Sequence, residues 1–247
     1  MNLRKLILTN NACYKAGRTI TPRGIMLHST GANNPWLRRY VGPDDGLLGV
    51  NRHNNHWNQE RPGGRSVCVH AFIGRLADGS VATYQTLPWN HRGWHCGRGV
   101  RGSGNDTHIS VEICEDGLVD AVYFRKVYSE AVELCVYLCG QYGLTERNII
   151  SHSEGHRLGI ASNHADVMHW FPRHGKSMDS FRAAVRKALT ESVAPAYEIY
   201  TVVKGDTLWK IAAARLGSGA RHPEISEMNA LSSGTLVPGQ KLKIPTK

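Results

Sequence analysis

Six residues able to bind a metal or move a proton fall within one stretch, residues 150–171: His152, Glu154, His156, His164, Asp166 and His169. The stretch shows little regular periodicity and contains Gly155 and Gly159, a composition that suits a site-forming loop better than a buried element. Imidazole and carboxylate are the ligands that a catalytic Zn²⁺ takes when a fourth position is left open, and one loop rarely supplies the whole set. At least one ligand must come from elsewhere in the chain. His152 and His156 are spaced to share a helical face, but the glutamate of HSEGH stands in the wrong place for an H-E-x-x-H motif, and Gly155 weakens a helix there. Asp166, His164 and His169 therefore compete for the remaining position within the stretch.

Two strands can bring further chemistry to such a loop. Residues 24–31, GIMLHSTG, read as a short buried strand in which Ile25 and Leu27 face one way and Met26 and His28 the other, with His28 emerging at its C-terminal end. Residues 109–114 alternate in the same manner, with Ile109, Val111 and Ile113 on one face and Ser110, Glu112 and Cys114 on the other. An acid in the middle of such a strand is usually solvated or paired, yet that is also how a general base is held rigidly beside a site.

The remaining elements supply a layer to pack against. Residues 66–76 and 80–87, joined by Ala77-Asp78-Gly79, read as a β-hairpin. Amphipathic helices are expected over residues 129–142 and 179–190. Strands alternating with helices around one core predict an α/β (α+β) layer fold with a central mixed sheet flanked by helices. Residues 33–64 are long, polar and rich in Asn, Gly and Pro, and such a loop is expected to wall a substrate groove; His53 and His56 within it are left outside the metal site. Residues 191–197 read as a linker between a domain over 1–190 and a strand–helix–helix–strand module over 198–247, with Thr207 as a helix N-cap.

Composition narrows the partners. A formal net charge of +10 favours an anionic partner, and the excess is spread as +7 over residues 1–197 and +3 over residues 198–247, which fits a polyanionic wall better than a single nucleic-acid stripe. The N-terminal apolar patch, residues 6–8, is too short for the core of a secretory signal, so cytoplasmic synthesis is expected. On that basis the six cysteines, none in a C-x-x-C pair, are expected to be free thiols, mostly small core residues.

Taken together, IMLHSTGANNP, CVHAFIG, LPWNHRGWHCG and GIASNHADVMHWFP resemble the zinc-dependent N-acetylmuramoyl-L-alanine amidases of the amidase-2 type. These share a fold with peptidoglycan-recognition proteins and phage T7 lysozyme, and the blocks look close to endolysins and autolysins of Gram-positive bacteria and their phages. The tail, with YTVVKGDTLWKIAAARLG, ISEMNAL and LVPGQKLKIP, resembles a LysM module, a family that binds N-acetylglucosamine-containing glycans. Tethering of that kind would raise the local concentration of an enzyme on an insoluble substrate.

The resemblance implies Zn²⁺ held by His28, His152 and Asp166, with Glu112 as general base. His164 falls where many members carry an oxyanion-stabilising Lys, a departure that passes the role to an imidazole. It further implies substrate contacts at His70, Trp94, His95 and Asn163, and glycan contacts in the module at Gly205, Asp206, Thr207, Leu208, Asn229 and Leu231. The expected activity is cleavage of the amide between N-acetylmuramic acid and L-alanine in peptidoglycan, by a monomer that reaches the wall after release through a holin-like pore or by lysis. Neither nucleic acid nor membrane is an expected partner. A non-catalytic peptidoglycan receptor of the same fold is the alternative, and the complete set of ligand-competent residues argues against it.

Overall fold

The computed structural model describes residues 1–193 and 197–246, and the chain forms two compact units, Met1–Leu189 and Thr190–Lys247. The larger unit is built on a six-stranded mixed sheet in the order β1-β4-β3-β5-β2-β6. Its strands are β1 (Leu3–Lys5), β2 (Gly24–Asn33), β3 (Ala71–Arg75), β4 (Val81–Gln85), β5 (His108–Glu115) and β6 (Ile149–Ser151). Only the β3–β4 hairpin is antiparallel; the other neighbours run parallel.

Period-two alternation divides the sheet into two unlike faces. Ile25, Leu27, Ala71, Ile73, Ile109, Val111 and Ile113 pack into one core with α2 (Ala121–Tyr142) and α4 (Met178–Val193), through Tyr123, Phe124, Val127, Leu134, Leu138, Phe181 and Val185. The opposite face carries Met26, Phe72, Ala82, Tyr84 and Cys114, covered by loops rather than by long helices. Parallel register sets His28 opposite Glu112, and Glu112 opposite Phe72, so these three form one rung on the loop-covered face. The strand reading is corrected at its end: β2 continues to Asn33, and His28 stands in mid-strand rather than at a C-terminal edge.

Helix α2 begins eight residues earlier than periodicity suggests. Asp120 caps it, accepting hydrogen bonds from the Val122 and Tyr123 N–H groups, and Gly143 ends it in the left-handed region. Helix α4 continues through Val193, so the start of the expected linker is helical; residues 194–196 lie outside the described residues. Among the described residues no helix is long and apolar enough to cross a membrane.

Four thiols, Cys96, Cys114, Cys135 and Cys139, are free and buried as expected. The expectation fails for Cys13 and Cys68, which form a disulfide 55 residues apart in sequence. Folding brings the short helix α1 (Ala12–Lys15) back beside the residues that lead into β3, an approach that spacing alone does not reveal. Closing a loop of that length removes about 4 kcal/mol of chain entropy from the unfolded state in the simplest treatment, and removing such bonds costs about 2–5 kcal/mol in small domains. Cys13→Ser is expected to lower the unfolding free energy of the oxidised protein by about 2–4 kcal/mol. Equal denaturant midpoints for the oxidised parent and the variant would reject a stabilising role.

The smaller unit is a βααβ module: β7 (Tyr197–Thr201) pairs antiparallel with β8 (Lys241–Pro245), and α5 (Leu208–Leu216) and α6 (His222–Met228) lie between them in sequence. Val202, Leu208, Ile211, Ala212, Leu216, Ile225, Leu242 and Ile244 make its own core. Thr207 caps α5 by accepting from the Lys210 N–H at 3.2 Å.

Candidate metal centre and its groove

Helix α3 (His152–Arg157) follows β6 directly and explains why His152 is so well placed. Ser151 and Glu154 form a capping box, with Ser151 Oγ accepting from the Glu154 N–H and a Glu154 carboxylate oxygen accepting from the Ser151 N–H. Glu154 also pairs with Arg182 of α4, so it serves the fold. Gly155 lets α3 lie against the sheet, since a Cβ there would meet the Met26 side chain at 2.8 Å. His152 thus becomes the first residue of a fixed helical turn beside His28.

Three acceptor atoms converge at this point. His28 Nδ1 lies 2.8 Å and His152 Nδ1 2.7 Å from Asp166 Oδ2, and the two Nδ1 atoms are 3.1 Å apart. Lone pairs gathered this closely repel one another unless a cation or a proton lies between them. Ligand atoms around a tetrahedral ion with bonds of about 2.0–2.1 Å are about 3.3 Å apart, so small outward shifts would accommodate Zn²⁺, and two imidazoles with one carboxylate are a donor set it accepts.

The outer nitrogens hold the tautomers that this requires. His28 Nε2–H donates to His95 Nδ1 at 2.9 Å, and His152 Nε2–H points to Ser162 Oγ at 3.4 Å, with Ser162 itself donating to the Cys96 carbonyl. Burial lowers the pKa of His28 despite the opposing pull of the Asp166 carboxylate, which favours the neutral ring a metal needs. Burial alone would raise Asp166, but the adjoining His152 and His28 rings outweigh it and hold the carboxyl below the ordinary range.

Rival ligands are engaged elsewhere. His156 Nδ1 lies 3.2 Å from the Ala161 carbonyl, and His169 Nε2 lies 2.9 Å from Glu115 Oε1. His164 is exposed and lines the groove, its ring 4.8 Å from that of His152 and tilted against it. Among the described residues, His28, His152 and Asp166 are the group of three placed to hold an ion.

Glu112 stands on the same rung as His28 with Oε2 buried and without a hydrogen-bond partner among the described residues. Burial first, then the negative charges of Asp166 and Glu115, push its pKa well above the ordinary carboxylate value. The groove around it has a volume of about 600 Å³ and is walled by Tyr40, Trp57, Pro62, Trp94 and Gly97. The 33–64 loop therefore does wall the groove, while His56 packs against Gly42 and His53 lies apart from the ligands.

Other expected contacts require correction. His70 is fully buried: its Nδ1 accepts from the Ser110 N–H and its Nε2–H donates to the His91 carbonyl, so it clamps β5 to the 91–95 loop instead of touching substrate. Its pKa is pushed down to about 4 by burial, consistent with a neutral structural ring. His95 lines the groove, but its Nδ1 is committed to His28. Asn163 is exposed and is not among the groove's lining residues, whereas Trp94 is 44% exposed at the rim. In the module, Asp206 accepts from Tyr200 and from the Val203 N–H, Leu208 is buried, Leu231 packs on the core, and Asn229 bridges the Ile225 carbonyl and the Lys243 backbone. Gly205 occupies the left-handed region in the same turn. These side chains shape the module.

Two positioning residues escaped the sequence reading. Ser162 carries no pattern of its own, and Asn105 holds the 95–97 segment by accepting from the His95 and Cys96 N–H groups and donating to the Gly97 carbonyl. Both lie in irregular loops where periodicity is silent.

The mixed sheet with its flanking helices is a known arrangement. The larger unit shares its fold with the PlyG catalytic domain, with a TM-score of 0.54 and 20% identity over 79% of this chain and 99% of that one. It also resembles the Staphylococcus aureus hydrolase AmiA, solved in complex with its ligand, with a TM-score of 0.54 and 19% identity over 78% of this chain and 86% of that one. Residues 18–172 match the N-acetylmuramoyl-L-alanine amidase family, Amidase_2, and the chain belongs to that family. Residues 200–245 match the LysM domain. The N-acetylmuramoyl-L-alanine amidase XlyA of Bacillus subtilis (strain 168) is 30% identical over 154 residues, 62% of this chain and 44% of that protein. CwlH of the same organism, also an N-acetylmuramoyl-L-alanine amidase, is 35% identical over 71 residues, 29% of this chain and 27% of that protein. The chain thus matches less than half the length of either curated relative.

Proposed function

We propose that this protein is a zinc-dependent hydrolase of peptidoglycan that cuts the amide between the lactyl group of N-acetylmuramic acid and L-alanine, with its LysM module holding it to the wall. The observation that carries the reading is the convergence of His28, His152 and Asp166 beside the unpartnered Glu112 oxygen in an open groove. Zn²⁺ held by these three residues would supply Lewis acidity, polarising the scissile carbonyl and making water acidic enough to attack near neutral pH.

The chain's own residues do the rest. Glu112 takes a proton from the attacking water at its free oxygen and returns it to the departing L-alanine nitrogen. His164 donates a hydrogen bond to the carbonyl oxygen as negative charge develops there. His95, Ser162 and Asn105 keep the two ligand imidazoles and the adjoining loop in place. Trp94, Tyr40 and Trp57 hold the muramoyl peptide along the groove.

Purified protein incubated with cell walls is expected to release L-alanine amino groups without new reducing sugars. Reducing ends without free amines would mean a glycosidase and sink the reading. The domain limits 1–190 and 198–247 are part of this proposal. A protein ending at Leu189 is expected to hydrolyse small soluble muramoyl peptides at the parental rate and to bind whole walls less well, because the larger unit has its own core and the module its own. Undiminished wall binding by the shortened protein would show that the module is not the anchor.

A further inference from the structure

The 33–64 loop does more than wall the groove. Behind it lies a second cavity of about 550 Å³, lined by Trp36, Arg38, Arg39, Asn51, Arg52 and Asn55 among others. Arg39 and Asn55 also line the metal groove, so the two spaces adjoin across these two side chains. We propose that this cavity is a subsite for a carboxylate on the peptide side of the substrate. The proposal rests on the amidase reading of the groove and specifies what the peptide must carry.

Charge is the first argument. Arg38, Arg39 and Arg52 all line the cavity, and among the described residues none has a carboxylate partner within ion-pair distance. Both aspartates of the same loop are engaged within the fold, and its third acid, Glu60, is not among the residues lining the cavity. Asp44 accepts from the Gly46 and Gly49 N–H groups, and Asp45 accepts from the Leu47 and Leu48 N–H groups and from the Tyr84 hydroxyl. Arg75, which also approaches Trp36, is paired with Asp120. Arg38 and Arg39 are half-buried, and cations left so without a counter-charge are a cost to the free protein that an anionic ligand offsets; Arg52 is exposed at the edge of the cavity.

Geometry is the second. The Arg38 guanidinium lies 4.4 Å over the Trp36 ring, Arg39 Nη1 donates to the Asn55 carbonyl at 2.6 Å, and Asn51 ties the Arg38 carbonyl to the Asn55 side chain at 2.7 and 3.0 Å. Their shape is thus set before any ligand arrives, which reduces the ordering cost of binding. A guanidinium fork matches a carboxylate in two parallel hydrogen bonds. The glycan side of the scissile amide offers neutral hydroxyls and acetamides, whereas the peptide side carries free carboxylates. A phosphate-rich wall polymer would suit a track of cations along a surface, not a recess that shares Arg39 and Asn55 with the lining of the catalytic groove.

The test uses the full-length, zinc-loaded protein and a soluble muramoyl peptide with its carboxylates free, beside the same peptide with them amidated. Parent protein is expected to show a KM about tenfold or more higher for the amidated peptide, the scale of one charge-assisted hydrogen bond, with kcat little changed. Arg38→Gln and Arg52→Gln are expected to raise KM for the acid towards that of the amide while leaving the amide's constants unchanged. Arg52 is exposed, so its variant keeps the test valid if Arg38→Gln fails to fold. Calorimetric titration of both peptides accompanies the kinetics. Discrimination in titration without turnover of either peptide would sink the amidase reading and uphold the subsite. Equal binding of acid and amide by the parent overturns the subsite, as does equal damage to both in the variants. Loss confined to walls that retain their phosphate polymers, with peptide discrimination intact, also overturns it and assigns the arginines to the polymer.

Discussion

His28→Ala and His152→Ala are each expected to leave the purified protein without bound zinc and without measurable wall hydrolysis. Either change removes one of the three atoms that meet within 3.1 Å, and two remaining protein ligands hold the ion poorly. Chelation of the parent is expected to have the same effect on activity, and added Zn²⁺ to reverse it. His28 is buried in mid-strand between β5 and β6, so thermal melts of the metal-free proteins are needed to separate lost metal from lost fold. One equivalent of zinc retained by both variants would mean the site is misassigned. Zinc lost in His164→Ala but kept in Asp166→Ala would instead make His164 the third ligand.

Glu112→Gln is expected to keep the zinc and to lose about 10²–10⁴ in rate, the usual scale for removal of a general base. Glutamine preserves the shape on the Ser110-Glu112-Cys114 face while removing the group that accepts the proton. The pH dependence gives the sharper readout. Burial raises the Glu112 pKa, and only the ionised carboxylate accepts a proton, so activity falls as pH drops through that pKa and recovers above it. The acidic limb should be missing from the residual activity of Glu112→Gln. A limb that persists unchanged would assign it to another group and remove Glu112 from the mechanism. His164→Ala should also retain zinc and lose about 10²–10³ in rate, as removal of a single oxyanion donor does.

Much of this site was legible because alternation in a half-buried strand is a local property. Ile25 and Leu27 against Met26 and His28, and Val111 and Ile113 against Glu112, can be sorted by period two alone, and the structure sorts them the same way. What alternation cannot give is pairing. That His28 and Glu112 share a rung depends on which parallel strands become neighbours and in what register, which is decided by tertiary packing. His70 shows the same limit from the other side. The resemblance implies a substrate contact for it, but the 91–95 loop covers it and takes its second nitrogen. The Cys13–Cys68 bond and the outer partners of the ligand histidines join segments distant in sequence and leave no periodic trace.

The two-faced sheet has a consequence for how such a protein can change over time. Every strand residue that supports the helical layer is followed by one that looks into the catalytic layer, so durability and chemistry are written in interleaved positions of the same few segments. Yet the surfaces on the two sides are built from different parts of the chain: long helices on one, irregular loops such as 33–64 on the other. A lineage can lengthen, shorten or recharge those loops to follow a changing wall while the helical layer keeps the scaffold intact.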